Sequence, residues 1–554
     1  MLDGCVDWPL EFKELYTSKG YWENRTIGDI LDRSAGLFPE RDALVAYSPV
    51  WGETRDTYAS LLKKVNRLAI HLKQMGIKPL DRIIMHLPNI AEFIYLYFAL
   101  HKIAAIPVLC LPVFRYTELA DIHNQLNARG YAASVGVEGF GFDYLGLAQE
   151  LNKIKPLDYI LVAGTKAQPG MILINELLDD PVEEKYPENY LDQFRPDPNE
   201  IALFQLSGGT TGKPKLIPRT HNGFLSCSKF SGFLGAFSPY TSFLITTPIA
   251  HGFTMVSPGM NAAVEFGAKC VLSLSPAPDR ALFLIERERV TYANAVPAVI
   301  ISWMNSEALK KYDISSLEVI ISGGSKFNPE VARLIPEKLG CKLQMVLGMT
   351  EGLNIFTRLD YSEKDLFETV GQPLLPVDEV RVVDDDGNDV PEGEVGELWT
   401  RGPYTVRGYY KADEHNTKAF TADGFFKTGD LVRQRDGKFI VEGRSKDLVN
   451  RGGEKINAEE LENFILSHPS VFNTAVVSMP DQILGEKVCA CVILREGTEL
   501  TLDELREFLL AKQIAKFKLP ERLEIYDSFF LTAVGKISKV AMRADIAEKC
   551  KREA

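Results

Sequence analysis

Ser207-Gly-Gly-Thr-Thr-Gly-Lys-Pro-Lys215, entered from the apolar run Ile201-Ala-Leu-Phe-Gln-Leu206, is the stretch on which the reading of this chain turns. The apolar run reads as a buried strand, and the segment after it has the composition of an anion cradle. Glycines let backbone N–H groups approach a ligand closely. The hydroxyls of Ser207, Thr210 and Thr211 add donors, and Lys215 adds charge. The pattern differs from G-x-x-x-x-G-K-[ST], because only three residues separate Gly208 from Gly212 and a proline follows Lys213. A plain surface turn is the alternative, although glycines, hydroxyls and lysines gathered at a strand end favour a polyphosphate ligand.

Outward from this loop, strand and helix signals alternate. Thr57 to Met75 has helical spacing and ends at Gly76, Arg82-Ile-Ile-Met-His-Leu reads as a strand, and Ala91 to Ile103 as a helix. A second cycle runs from about Tyr240 to Val346, where Val319-Ile-Ile-Ser322 precedes Gly323-Gly324. Such alternation predicts α/β layering. Near Val377 the pattern becomes β-rich, with a turn signal at Asp384-Asp-Asp-Gly-Asn388. After Arg444 comes a compact α+β tail. The chain has 554 residues, whereas single cores stop growing near roughly 250–300, so domains of 1–445 and 446–554 are expected.

Composition narrows the partners. The net charge of −13 disfavours general nucleic-acid binding. No signal peptide is recognisable, and no apolar stretch reaches the roughly 20 residues of a membrane span. The most apolar, Phe93 to Pro112, is broken by His101-Lys102. Eight scattered cysteines without a CxxC pair read as reduced thiols, which together predicts a cytoplasmic protein.

Further motifs occur in a telling order: Gly348-Met-Thr-Glu-Gly352, Tyr409-Tyr-Lys411, Thr428-Gly-Asp-Leu431, Gly443-Arg-Ser-Lys-Asp447, Arg451-Gly-Gly-Glu-Lys455 and Thr532-Ala-Val-Gly-Lys536. With the loop they resemble the adenylate-forming enzymes: acyl-CoA synthetases, nonribosomal peptide synthetase adenylation domains and luciferases. Leu206 to His221, Arg401 to Tyr410, Asn450 to Lys455, and the opening Trp8-Pro-Leu-Glu-Phe12 and Lys19-Gly-Tyr-Trp22 are most similar to the stand-alone 2,3-dihydroxybenzoate- and salicylate-AMP ligases of siderophore assembly.

The resemblance implies a fold and a set of roles. The fold is two doubly wound α/β subdomains plus a β-barrel-like one, followed by a small mobile α+β lid. ATP with Mg²⁺ would be held by Ser207, Gly208, Gly209, Thr210, Thr211, Lys215, Gly323, Gly324, Ser325, Gly348, Met349, Thr350, Asp430 and Arg444. Glu351, with Thr211, would serve the magnesium, and Lys536 would bridge the acid carboxylate and α-phosphate. From composition alone, Lys536 reads as a solvated lysine, Glu351 as a helix N-terminal residue and Asp430 as an Asx turn. Lys446 matches the hinge. Gly452 and Gly453 would line the path of a phosphopantetheine thiol, with Arg451 and Lys487 toward an acidic carrier protein supplied in trans; a solvated charged face is an equal reading of those two. Free coenzyme A as acceptor is the alternative, and a non-catalytic nucleotide-binding member of the fold a more distant one.

The acid pocket departs from the pattern. His251 matches the resemblance, but Gly252 stands where catechol- and salicylate-specific members usually carry Asn. Val256 occupies a small polar position, and Asn354 an apolar one. Phe253 and Gly324 complete the expected wall. A site built to bond a substrate hydroxyl discriminates by roughly 10⁴–10⁵, so losing the Asn removes ortho-hydroxyl selectivity. Either Asn354 relocates the contact, toward an amino-, meta/para-hydroxy- or heteroaryl acid, or the pocket is merely permissive.

Overall fold

The computed structural model describes residues 1–137, 139–206, 215–324, 327–452, 454–481, 483–532 and 536–553, with Lys446 and Lys455 in backbone only. Two compact units result: Met1–Glu379 with Thr400–Phe426, and Val380–Trp399 with Lys427–Ala554.

The first unit holds two large sheets. The seven-stranded sheet runs Ile172–Leu173, Tyr159–Ala163, Gly130–Ser134, Arg82–Met85, Ile106–Leu109, Ile201–Leu206, Leu216–Thr220. All neighbours are parallel except the last pair. That antiparallel pair places Leu206 opposite Leu216, so the glycine-rich stretch connects two adjacent strands.

The nine-stranded sheet runs Gln372–Pro373, Asn354–Phe356, Lys342–Gly348, Val319–Gly323, Tyr292–Ala295, Ser242–Ile245, Lys269–Leu272, Asp42–Ser48, Gly52–Thr57. Its six central strands are parallel. The carboxyl ends of those strands deliver Gly323-Gly324, Gly348 and the segment after Ile245 to one edge, where open α/β sheets bind ligands. Its core is closed by Trp303, fully buried with its indole N–H donating to Pro276 O at 2.8 Å.

Helix Tyr58–Gln74 forms where the spacing predicted. The Thr57 hydroxyl caps it by accepting from Ser60 N, and Leu61, Val65, Leu68 and Leu72 make its buried face. Helix Ala91–Lys102 is buried from Ala91 through His101, packing against Asp42–Ser48 of one sheet and Ile106–Leu109 of the other. A helix apolar all round is therefore explained by burial between layers. Among the described residues no helix is long and apolar enough to cross a membrane.

The second unit contains a four-stranded sheet, Glu379–Val383, Gly396–Arg401, Phe426–Arg435, Lys438–Arg444, whose end residues reach the unit boundary, and a five-stranded sheet built around Gly485–Leu494. The turn at Asp384 is closed by Asp384 N donating to Asn388 O at 2.9 Å. The five-stranded sheet is covered on both faces. Val476, Val488, Ala490 and Val492 pack with helix residues Leu461, Ile465, Leu505 and Leu509. The alternate positions Ala475, Val477, Cys489 and Cys491 pack with Met542 and Ile546. Cys489 and Cys491 thus share one buried face as free thiols, their sulfurs 4.0 Å apart.

Candidate active site

In the first unit, residues far apart in sequence gather around Glu351. Its Oε1 accepts from the Tyr409 hydroxyl at 2.7 Å. The Lys215 ammonium lies 5.1 Å from the Tyr409 ring centroid and donates to His415 Nε2 at 2.6 Å. Burial pulls the Lys215 pKa below its ordinary value, opposed by the Glu351 charge. Burial, with Lys215 and Lys418 nearby, lowers that of His415, keeping it a neutral acceptor. A carboxylate and an ammonium are therefore gathered around the Tyr409 ring.

The turn carrying Thr350 and Glu351 is tethered from beneath. Arg219, 2 % exposed, donates to the Thr350 carbonyl and to Tyr404 O at 3.0 Å. Burial lowers the pKa of its guanidinium. Gly352 closes the turn at φ +154°, and a Cβ there would lie 2.3 Å from Thr405 Cα. Only glycine fits that approach.

The segment after Ile245 supplies the expected pocket wall. His251 caps helix Gly252–Val256, its Nδ1 accepting from Phe253 N at 3.2 Å. An unprotonated Nδ1 puts the proton of the neutral ring on Nε2. The Phe253 ring leans on Gly323, where an added Cβ would be 3.5 Å from Phe253 Cε2 and 2.6 Å from Val346 Cγ1. Val256 is buried; the polar side chain of this wall is its neighbour Ser257. Asn354, 3 % exposed, donates from Nδ2 to Ser257 Oγ at 3.0 Å and to Cys227 Sγ at 3.1 Å, and its Oδ1 accepts from Ser257 Oγ at 3.2 Å. A Cβ on Gly348 would be 2.3 Å from that Oδ1.

In the second unit Asp430 and Arg444 face each other across an antiparallel pair. Arg444 Nε bonds the buried Asp430 Oδ1 at 2.7 Å, and Asp430 N donates to Thr428 Oγ1 at 3.0 Å. Lys536 is close enough to feel both charges. Burial and Arg444 bring its pKa down to about 8, against the pull of Asp430. Thr532 N donates to Lys536 O at 2.6 Å. Elsewhere in this unit Arg451 pairs with Glu521 and Lys487 with Asp481, each at 2.5 Å. Gly452 takes φ +59° and donates to Leu484 O at 2.8 Å.

Ser207, Gly208, Gly209, Thr210, Thr211, Ser325 and Gly453 lie outside the described residues, as does the side chain of Lys446. Gln205, Arg219, Cys227, Ser257 and His415 escaped sequence reasoning. For Gln205 a signal existed: a lone amide inside an apolar strand, 1 % exposed, is costly unless it is used. For the others none did, since their partners are distant in sequence.

The family described as AMP-binding enzyme matches residues 31–410, and that of the AMP-binding enzyme C-terminal domain matches residues 460–536. The chain is 43 % identical over 551 residues to the 2,3-dihydroxybenzoate-AMP ligase of Bacillus subtilis, covering 99 % of each. It is 41 % identical to the 2-hydroxy-7-methoxy-5-methyl-1-naphthoate--CoA ligase of Streptomyces carzinostaticus, covering 98 % of this chain and 97 % of the relative. Among solved structures, MbtA of Mycobacterium smegmatis in its apo form superposes with a TM-score of 0.74 at 35 % identity, over 98 % of both chains.

Proposed function

The chain belongs to the AMP-binding enzyme family, and from that premise we propose that it is an aryl-acid–AMP ligase feeding a siderophore or nonribosomal peptide assembly line. An aromatic carboxylate attacks the α-phosphorus of ATP, the bond to the β-phosphate breaks, and pyrophosphate leaves. The phosphopantetheine thiol of a carrier protein, supplied in trans, then gives up its proton and attacks the acyl carbon, and AMP leaves. The relative from B. subtilis is named for the first half of this chemistry.

One observation carries the reading: Lys536 is buried within electrostatic reach of the Asp430–Arg444 pair, about a hundred residues away in sequence. Two anions must meet in the first step, so a positioned ammonium is what the reaction needs most. Asp430 would accept from the ribose hydroxyls, with Arg444 beside it. Gly323, Gly324 and Gly348, all at strand ends, offer close backbone approach to the adenine. Met349 and Thr350 complete that segment.

Magnesium fits the donor set. Among the described residues no three His, Cys, Asp or Glu side chains form a cage, and magnesium favours one or two carboxylates completed by phosphate oxygens and water. Glu351 would supply the carboxylate, and the ion would offset charge on the departing pyrophosphate. Lys446 is assigned the hinge between a 1–445 core and a 446–554 lid. As carrier contacts, Arg451 and Lys487 would exchange an internal carboxylate for one of the partner's. The cytoplasm, where ATP and reduced thiols coexist, is the compartment this reading implies.

The test is acid-dependent ATP–pyrophosphate exchange. Exchange is expected with aromatic acids and is expected to fall at least about 100-fold in K536A; no exchange with any acid overturns the reading. The relative named a CoA ligase favours coenzyme A as a second acceptor. Acyl transfer to holo-carrier protein, compared with free coenzyme A, decides between the two.

A further inference from the structure

The Lys215 ammonium donates to His415 Nε2 at 2.6 Å and lies 5.1 Å from the Tyr409 ring centroid. An ammonium can only donate, so the ring nitrogen that meets it carries no proton, and the imidazole is a neutral partner. A neutral acceptor anchors a cation without offsetting its charge, which a carboxylate would do. The bond takes one of the three N–H donors of the ammonium and is compatible with contacts to phosphate oxygens.

His415 is itself held in place. Its helix, Asp413–Ala419, is clamped onto Tyr409 by Asn416, whose Oδ1 accepts from Tyr409 N at 2.8 Å and whose Nδ2 donates to Tyr409 O at 3.0 Å. The imidazole tilts against the Tyr409 ring, with centroids 5.1 Å apart. Tyr409 packs in turn against Phe420 and Phe426, and its hydroxyl donates to Glu351. One buried aromatic residue thus supports the acceptor for the Lys215 cation and supplies the donor for the Glu351 carboxylate. Packing alone would explain a ring at position 415, but it does not require an acceptor nitrogen aimed at an ammonium.

We propose that His415 is a positioning residue for ATP binding: its Nε2 holds the Lys215 ammonium against the Tyr409 ring, ready for the triphosphate, without neutralising it. A lysine stem has wide rotamer freedom, and a cation ordered before the ligand arrives loses less entropy on binding. The inference rests on the ATP-dependent ligase reading above and adds to it a residue which that reading does not use.

The experiment measures the Kd of magnesium-ATP by calorimetry, and the KM for ATP and for the acid in ATP–pyrophosphate exchange. The proteins are wild type, H415L, H415A, H415Q, K215A and K215A/H415L. Losing one hydrogen bond in H415L or H415A should raise Kd and KM for ATP about fivefold. The kcat and the KM for the acid should stay within about twofold. H415Q, whose amide oxygen can stand where Nε2 stood, should bind ATP within about twofold of wild type. H415L should add nothing to the loss in K215A, since His415 acts through that lysine. An equal loss in H415Q, additive losses in the double variant, or a parallel rise in KM for the acid would mean a packing role and overturn the proposal. So would ATP affinity indifferent to His415. Wild type that binds ATP but exchanges with no acid overturns the ligase reading alone, and the Kd series still decides for or against His415. Wild type that binds no ATP overturns both.

Discussion

Asp430 and Arg444 are bonded at 2.7 Å across neighbouring strands, and the two charges pull the pKa of Lys536 in opposite directions. Arg444 and burial depress it, while Asp430 props it up. The balance near 8 leaves the ammonium protonated, but only just, at physiological pH.

In the role proposed for Lys536, adenylation needs that proton, so kcat/KM should fall as pH rises through about 8. Removing the repelling charge in R444A should move this alkaline limb upward, even if ATP binding weakens. Removing the supporting charge in D430N should move it down. The pH dependence of kcat/KM for adenylation, which reports the free enzyme, checks both directions; an unmoved limb in both variants would detach Lys536 from the pair.

Arg219 should prove necessary although it is remote from solvent. One planar guanidinium holds the Thr350 and Tyr404 carbonyls together, and a lysine has no fork to do so. In R219K, kcat/KM for ATP should drop about tenfold or more, because the turn bearing Glu351 loses its tether. A steady-state ATP titration reads this out.

Tyr409 orients Glu351 through one hydrogen bond, typically worth about 1 kcal/mol, or more to a charged acceptor. Y409F keeps the ring beside Lys215 but lets the carboxylate swing. The apparent magnesium requirement should rise several-fold in exchange assays, with little change in melting temperature.

Asp378 makes stability pH-dependent. Burial raises its pKa to about 7, although the Tyr404 hydroxyl and Leu375 N donate to it. An acid with a raised folded-state pKa binds more protons folded than unfolded between its ordinary value and about 7. Its contribution therefore falls as pH rises across that window, and the charged form carries the full penalty above it. D378N removes the titration. Its melting temperature relative to wild type should be more favourable at pH 8.5 than at pH 5.5, by the equivalent of about 1 kcal/mol or more.

Much of the architecture was legible because local chemistry wrote it. The Thr57 cap, the helical spacing after it and the glycine at position 76 mark one helix without any tertiary information. Gly323-Gly324 and Gly348 stand at strand ends because apolar runs stop where side chains would collide, as the 2.6 Å approach of a Gly323 Cβ to Val346 illustrates. The pocket was legible only in part. Gly252 and Asn354 stood out as departures, yet whether an amide is spent or available depends on what lies opposite it. Asn354 meets Ser257 and Cys227; Gln205 is buried beside Gly252 with no hydrogen-bond partner among the described residues.

The sequence by itself determined the layered α/β organisation, the glycine- and hydroxyl-rich composition of the connection after Leu206, and the ordered motifs that carry the family resemblance. Each is a short-range property of spacing, charge or backbone freedom. Only the tertiary structure decided the partners: Lys536 with Asp430 and Arg444, Glu351 with Tyr409, and Asn354 with Ser257 and Cys227. Burial and pairing are set by residues far away along the chain, and no local pattern records the distance between them.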